Sequence, residues 1–280
     1  MRDDRDRHYS SRLVSFLTLA IVAGIVKTLG GVLYSSRAVL VDAATSIANI
    51  MSVIVIIYYL RESLKPPDTD HLYGHFRLAL GGEFFTILIY SFVAGLMILD
   101  LASGFEESYR VDLRASIYSS IGMTLYIGAI SLGRRLGESF KTYVNLTYIE
   151  IIEGVTAILA SLAGALISYI IDLAGGCALY IYLVREIFFS SIRFIRDISD
   201  EVESEVVEKT MRIVNDLGLE LKSVRLRRFY KKLYYGEMII AMRGDRSVEE
   251  AHRIVDQLEK RLMKENIYIS IHVEPSDSHI

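Results

Sequence analysis

Three side chains able to ligate a metal ion fall within eight residues of one another: Asp68, His71 and His75, in the segment Pro66-Pro67-Asp68-Thr69-Asp70-His71-Leu72-Tyr73-Gly74-His75. A carboxylate and neutral imidazoles are the donors that zinc and similar divalent cations take. The segment is polar and lies between two long apolar runs. Its donors therefore stand at the edge of a membrane span, which points to a protein that handles a divalent cation at a bilayer. The same residues also suit a solvated interfacial loop whose histidines bind nothing, and the triad alone does not separate the two.

The elements that must hold such a loop are apolar helices. Of the 280 residues 52% are hydrophobic, and the mean hydropathy is +0.34 although 23% are charged. That combination is high for a chain kept in water. The charges are concentrated, 30 of 65 lying in residues 200–280. The chain thus reads as a membrane domain, residues 1–199, followed by a cytoplasmic domain, residues 200–280. A net charge of -3 carries no electrostatic footprint for nucleic acid. The single Cys177 excludes an intrachain disulfide framework. Met1 to Arg12 is densely charged and the apolar run after it is long enough to span, so no cleavable signal peptide is expected.

Six spans are predicted, over Leu13–Tyr34, Val39–Leu60, Leu78–Leu101, Ala115–Gly133, Tyr143–Ile171 and Leu173–Ile195. Each approaches or exceeds the roughly 20 residues that cross the hydrocarbon core. Arg185 and Glu186 interrupt the sixth, marking its cytoplasmic end or an internal pair. With both termini inside, the inner segments hold Arg2, Arg5, Arg7, Arg12, Arg61, Lys65, Arg77, Arg134, Arg135 and Lys141. The outer loops hold only Arg37, Arg110 and Arg114. The excess of basic residues inside favours six spans with cytoplasmic termini.

The last 81 residues alternate helical and strand patterns. A helix is expected over Asp200–Leu217, stopped by Gly218. Strands follow over Glu220–Tyr230 and Leu233–Met242, joined by a turn at Lys231-Lys232. Ser247 with Glu250 three residues on is a capping box. It opens a helix whose apolar face is Ala251, Ile254, Val255, Leu258 and Leu262. Ile267–Val273 alternates as a last strand. The order α-β-β-α-β predicts a small α+β domain of the ferredoxin-like, heavy-metal-domain-like kind, with a three-stranded sheet and two helices on one face. A core this small gains from dimerisation. The tail has no nucleophile–base pairing, no Gly-rich phosphate loop and no catalytic cysteine, so an enzyme is not expected.

Six spans, a Pro-x-Asp-x-x-His-x-x-Gly-His segment after the second of them and an α-β-β-α-β tail together resemble the cation diffusion facilitator family. The resemblance is most specific over Ser36-Arg37-Ala38-Val39-Leu40-Val41-Asp42-Ala43-Ala44-Thr45-Ser46 and Asp68 to Arg77. It implies a homodimeric plasma-membrane exporter that exchanges zinc, manganese, iron or a related divalent cation for protons. Alternating access is implied, with no organic cofactor. It implies a metal site at Asp68, His71 and His75, modulatory rather than essential because it lies outside the membrane path. It also implies four intramembrane ligands, in pairs four residues apart on the second and fifth spans.

Here the sequence departs from the family pattern. The second-span pair falls on Thr45 and Asn49, with Asp42 one turn earlier, and the fifth-span pair on Glu150 and Gly154, with Glu153 adjacent. What remains is a set of oxygen donors: Asp42, Thr45, Asn49, Glu150 and Glu153. Carboxylates inside spans are costly and mark transport paths when they face the bundle interior. An all-oxygen site suits Mn(II), Mg(II) or Fe(II) better than zinc, and the missing histidine implies proton coupling at lower pH or weaker coupling. Three alternatives stay open. Asp42 is a shallow carboxylate near the outer interface. Glu150 and Glu153 pair with Lys27, the lone cation of the first span. Thr45 and Asn49 are polar glue between helices. In the tail, His252 and His272 with Glu274 fall where the family often has ligands, while Ala241 and the neighbourhood of Arg225 lack the expected histidines. Arg77 and Asp197 resemble the family's charge interlock. The incomplete tetrad keeps a second possibility in view: a transport-inactive scaffold or metal sensor built on the same fold.

Overall fold

The computed structural model describes residues 2–133, 138–230 and 232–276. Arg134, Arg135, Lys231 and His279 lie outside the described residues.

Six long helices come first: α1 (Arg2–Leu33), α2 (Arg37–Ser63), α3 (Ala79–Glu106), α4 (Arg114–Gly133), α5 (Glu138–Leu166) and α6 (Tyr169–Ile198). Among the described residues four helical stretches are long and apolar enough to cross a membrane: Val14–Leu33, Arg37–Ser63, Phe76–Glu106 and Arg114–Leu132. α5 and α6 are of similar length, 29 and 30 residues. One compact unit comprises residues 1–58 and 82–191, and a second comprises residues 59–81 and 192–280.

Small residues let the helices of the first unit approach closely, as in membrane bundles generally. A Cβ on Gly31 of α1 would stand 2.9 Å from the Leu40 backbone of α2. One on Gly30 would stand 2.6 Å from Cβ of Tyr118 in α4, and one on Gly175 of α6 would stand 2.2 Å from Cβ of Ala160 in α5. Ala20, Ala23, Ile50, Tyr126 and Ala129 form one buried cluster, and Val39, Leu101, Ala115, Ala157 and Leu173 form another.

The predicted boundary between the fifth and sixth helices is displaced. α5 stops at Leu166 and α6 begins at Tyr169, so Tyr169 to Ile171 belong to the sixth helix rather than the fifth. Ser168 Oγ accepts from the Ile170 amide at 3.3 Å, and Asp172 sits in the first turn of α6. Both favour a helix start there. The apolar run is continuous across this break, so hydropathy could not reveal it.

The second unit carries the tail: α7 (Ser204–Asn215), β1 (Glu220–Tyr230), β2 (Leu233–Met242), α8 (Val248–Met263) and β3 (Ile267–Pro275). β2 is central, antiparallel to β1 and parallel to β3. α7 starts four residues later than predicted, after Asp200 adopts a left-handed φ of 57°. The capping box is present: Ser247 Oγ accepts from the Glu250 amide at 3.2 Å, and Glu250 Oε2 accepts from the Ser247 amide at 3.0 Å. Met238 and Ile240 of the sheet pack with Val214 of α7 and Leu258 and Leu262 of α8.

Candidate functional site

Within the first unit, α2 presents Asp42, Thr45, Ser46 and Asn49 on one face, because positions three, four and seven apart stack along a helix. α5 does the same with Glu150 and Glu153. The two faces are bridged. Thr45 Oγ1 lies 2.9 Å from the Asp42 carbonyl oxygen and 3.4 Å from Glu153 Oε2. Asn49 Nδ2 donates to Glu150 Oε1. Tyr126 of α4 reaches the Glu150 carboxylate as well. Glu150 is 5% exposed, and its Oε2 is buried without a hydrogen-bond partner.

Asp42 is buried, 1% exposed, and Lys27 does not pair with the glutamates by direct contact. Lys27 Nζ lies 3.0 Å from both Asp42 oxygens and 3.1 Å from Ser46 Oγ. Asp42 Oδ2 makes this ionic contact without hydrogen-bond geometry. Ser46, Tyr126 and the choice of partner for Lys27 were missed by sequence reasoning. Only the position of Lys27 as a lone cation in an apolar run could have signalled them.

One more buried carboxylate, Asp172, was missed. Asp172, fully buried at the start of α6, accepts from Ser36 Oγ at 2.5 Å, the Arg37 amide at 2.7 Å and the Tyr109 hydroxyl at 2.9 Å. It caps α2 from another helix. A carboxylate in an apolar run was the available signal.

In the second unit, Asp68, His71 and His75 come together, with one ligand atom from each lying within 4.8 Å of the others. They do so without the helix that would place residues four apart on one face. The segment is a turn, held by Asp68 Oδ1 accepting from the amides of Asp70 at 3.1 Å and His71 at 2.7 Å. Gly74, at φ 83°, lets it close. The carboxylate faces both imidazoles: Oδ1 is 3.2 Å from His71 Nδ1 and Oδ2 is 3.2 Å from His75 Nε2. Donors around a tetrahedral ion with bonds near 2.0–2.1 Å stand about 3.3 Å apart, so these spacings suit one. His75 Nδ1 lies 3.1 Å from the Pro66 carbonyl oxygen, and donating there would leave Nε2 free as a ligand. The His71 amide, above all, holds the Asp68 carboxyl below its usual range.

The tail histidines stay apart. His252 and His272 are exposed, near Asp256 and Glu274 at 3.7 and 3.9 Å respectively. Neither belongs to a cluster of three metal donors among the described residues. The interlock forms with a different partner: Arg77 pairs with Asp200 at 3.0 Å, while Asp197 pairs with Arg228. The left-handed residue Asp200 reverses the chain after α6, and its carboxylate rather than that of Asp197 meets Arg77.

Apolar helices bridged by buried oxygen donors, with a His/Asp loop and a small α+β tail, define an integral membrane protein with metal-binding chemistry. A family model described as the cation efflux transmembrane domain matches residues 13–198, and one described as the cation efflux protein cytoplasmic domain matches residues 198–276. The manganese efflux system protein MneS of Bacillus subtilis (strain 168) is 25% identical, covering 98% of this chain and 97% of that protein. MneP of the same organism, also a manganese efflux system protein, is 23% identical over 96% and 98% of the two chains. A solved structure reported as the mode of action of a putative zinc transporter CzrB is 33% identical, covering 27% of this chain and 98% of that one with a TM-score of 0.25. The chain belongs to the cation diffusion facilitator family. It is a multi-pass metal cation efflux transporter, of a transporter family rather than an enzyme family.

Proposed function

We propose that the chain exports a divalent cation from the cytoplasm in exchange for protons, with manganese the first choice of cargo. The observation that carries this reading is the pair of polar bridges between α2 and α5, Thr45 to Glu153 and Asn49 to Glu150, beside a buried and unpaired Glu150 oxygen. These are oxygen donors only, which favours Mn(II), Fe(II) or Mg(II) over zinc. The manganese efflux relatives MneS and MneP support the same choice. Asp42 lines the same path with its charge already opposed by Lys27.

In this reading all six helices α1–α6 span a plasma membrane, both termini are cytoplasmic, and residues 1–199 form the transport domain. Residues 200–280 form a ferredoxin-like regulatory domain through which two copies pair. Cargo enters between α2 and α5 from the cytoplasm, and the outward-open state exchanges it for protons that compete for the same oxygens. Asp68, His71 and His75 bind a regulatory metal outside the path. A transport-inactive sensor is the second reading. It is favoured by the loop triad being the one cluster of three His, Cys, Asp or Glu donors within 4.8 Å among the described residues.

Flux in proteoliposomes across Mn, Fe, Zn, Co and Mg, with internal pH recorded, separates the two. Manganese movement coupled to proton counter-flow, lost in Glu150→Ala, supports the exporter. Metal binding through His71 and His75 without flux of any cation supports the sensor. Rapid zinc flux with none of manganese or iron refutes the oxygen-site argument.

A further inference from the structure

The first helix sends a lysine side chain into the cluster just described. Lys27 is 1% exposed, and its contacts at 3.0, 3.0 and 3.1 Å all go to α2: both Asp42 oxygens and Ser46 Oγ. Its aliphatic stem runs along α4 where Gly122 has no side chain, and a Cβ there would stand 2.5 Å from Lys27 Cγ. Nζ lies 5.6 Å from the centre of the Tyr126 ring, whose hydroxyl reaches Glu150. A Cβ on Gly154 would stand 3.8 Å from Nζ. Gly154 is the α5 position four residues after Glu150, on the ligand-bearing face, so the ammonium lies beside the place where a fourth ligand would begin.

We infer that Lys27 is a tethered competitor cation: by holding Asp42 and placing a positive charge at the α2–α5 site, it keeps the affinity for the transported cation low. The inference rests on the exporter reading above and goes beyond it. The groups facing the ammonium are Asp42 and Ser46 from α2, Tyr126 from α4, and Glu150 and Glu153 of α5, the last two acting through their charge. An entering cation meets repulsion from Lys27 and finds Asp42 already engaged. Both effects weaken binding, and a transporter needs a site that releases its cargo as well as admitting it. Lys27 acts through Asp42 and through its own field. It is a positioning and affinity-setting residue, not a ligand.

The test uses the full chain in a His71→Ala/His75→Ala background, so that the loop contributes no binding. Mn2+ alone is titrated calorimetrically, and efflux is followed in proteoliposomes. Lys27→Met should bind Mn2+ about tenfold more tightly or better, because an opposing unit charge has left a poorly screened site. Its turnover should fall through slow release. Lys27→Arg, which keeps the charge, should stay within about threefold of the parent. Unchanged or weaker binding by a folded Lys27→Met overturns the inference, as does Lys27→Arg binding as tightly as Lys27→Met. Where Lys27→Met does not fold, Lys27→Gln, whose amide can still donate to Asp42, decides: Mn2+ binding about tenfold tighter than the parent supports the inference, and unchanged or weaker binding overturns it. Absence of Mn2+ binding in the parent and in every Lys27 variant refutes the exporter reading itself, and this inference with it.

Discussion

Glu150→Gln replaces one carboxyl of the α2–α5 cluster with an amide and changes almost nothing else. The amide is isosteric with the carboxylate, so Asn49 Nδ2 keeps an oxygen to donate to. The new amide nitrogen falls at Oε2, an atom with no hydrogen-bond partner. An unmatched donor there costs about 1–3 kcal/mol, so the melting temperature drops by only a few degrees. Transport suffers far more. Groups that only orient a metal's ligands already cost about 10–100-fold in affinity when substituted. Glu150 is placed as a ligand itself, so a loss of about 100-fold or more in Mn2+ flux at limiting metal is expected. The assay is initial-rate efflux from proteoliposomes, with melting of the same preparation as control. A Glu150→Gln protein that folds and transports within about threefold of the parent would refute the placement of Glu150 on the path, since loss of a ligand carboxylate costs more than that.

Three further outcomes follow from the second unit. Because the folded Asp68 carboxyl is held below its unfolded value, the turn it caps is fully supported above the unfolded value of about 3.9 and lost as pH falls through the lowered one. Protection of the His71 amide against hydrogen exchange should therefore survive acidification to about pH 4, and loss of protection already above about pH 5 would contradict this. Ser247→Ala removes the hydroxyl that accepts from the Glu250 amide and leaves the backbone amide of residue 247 donating to the Glu250 carboxylate; it should lower the opening free energy of α8 by about 1 kcal/mol, read by hydrogen exchange in the full chain. Gly236→Ala places a Cβ 2.0 Å from the Arg225 carbonyl oxygen across the β1–β2 pair. It should destabilise the sheet by about 1–3 kcal/mol, seen as early protease cleavage within residues 220–242.

The tail was legible because its signals are local. Gly218 and the capping box at Ser247 punctuate it, and both strand boundaries around Lys231-Lys232 agree with the observed β1 and β2. The loop triad was legible for the same reason: three donors in one turn have little freedom to separate. The break before α6 was not, since Ser168 lies in an apolar run and acts only through its hydroxyl. Nor could spacing choose between Asp197 and Asp200 as the partner of Arg77. That choice depends on the left-handed backbone of Asp200, a conformation uncommon outside glycine.

Spacing along a helix says which side chains share a face, but the partner across a gap is set by how closely two helices approach. Lys27 shows the difference. It is the lone cation of the apolar stretch Val14–Leu33, and the sequence offered the glutamates of α5 as its partners, whereas it meets Asp42 of α2. Gly31, one turn after Lys27, brings α1 so close to α2 that a Cβ there would collide with the Leu40 backbone. Asp42 is two residues beyond Leu40, and the same close approach lays the Lys27 ammonium between its oxygens. Gly122 then gives the stem its slot on α4. Two glycines, neither carrying any chemistry, thus decide which carboxylate is neutralised and leave Glu150 and Glu153 without a direct contact to that cation. A bulkier residue at position 31 would separate α1 from α2 before it disturbed any ligand. Gly31→Leu is therefore expected to alter Mn2+ affinity through Lys27 while every oxygen donor remains in the sequence.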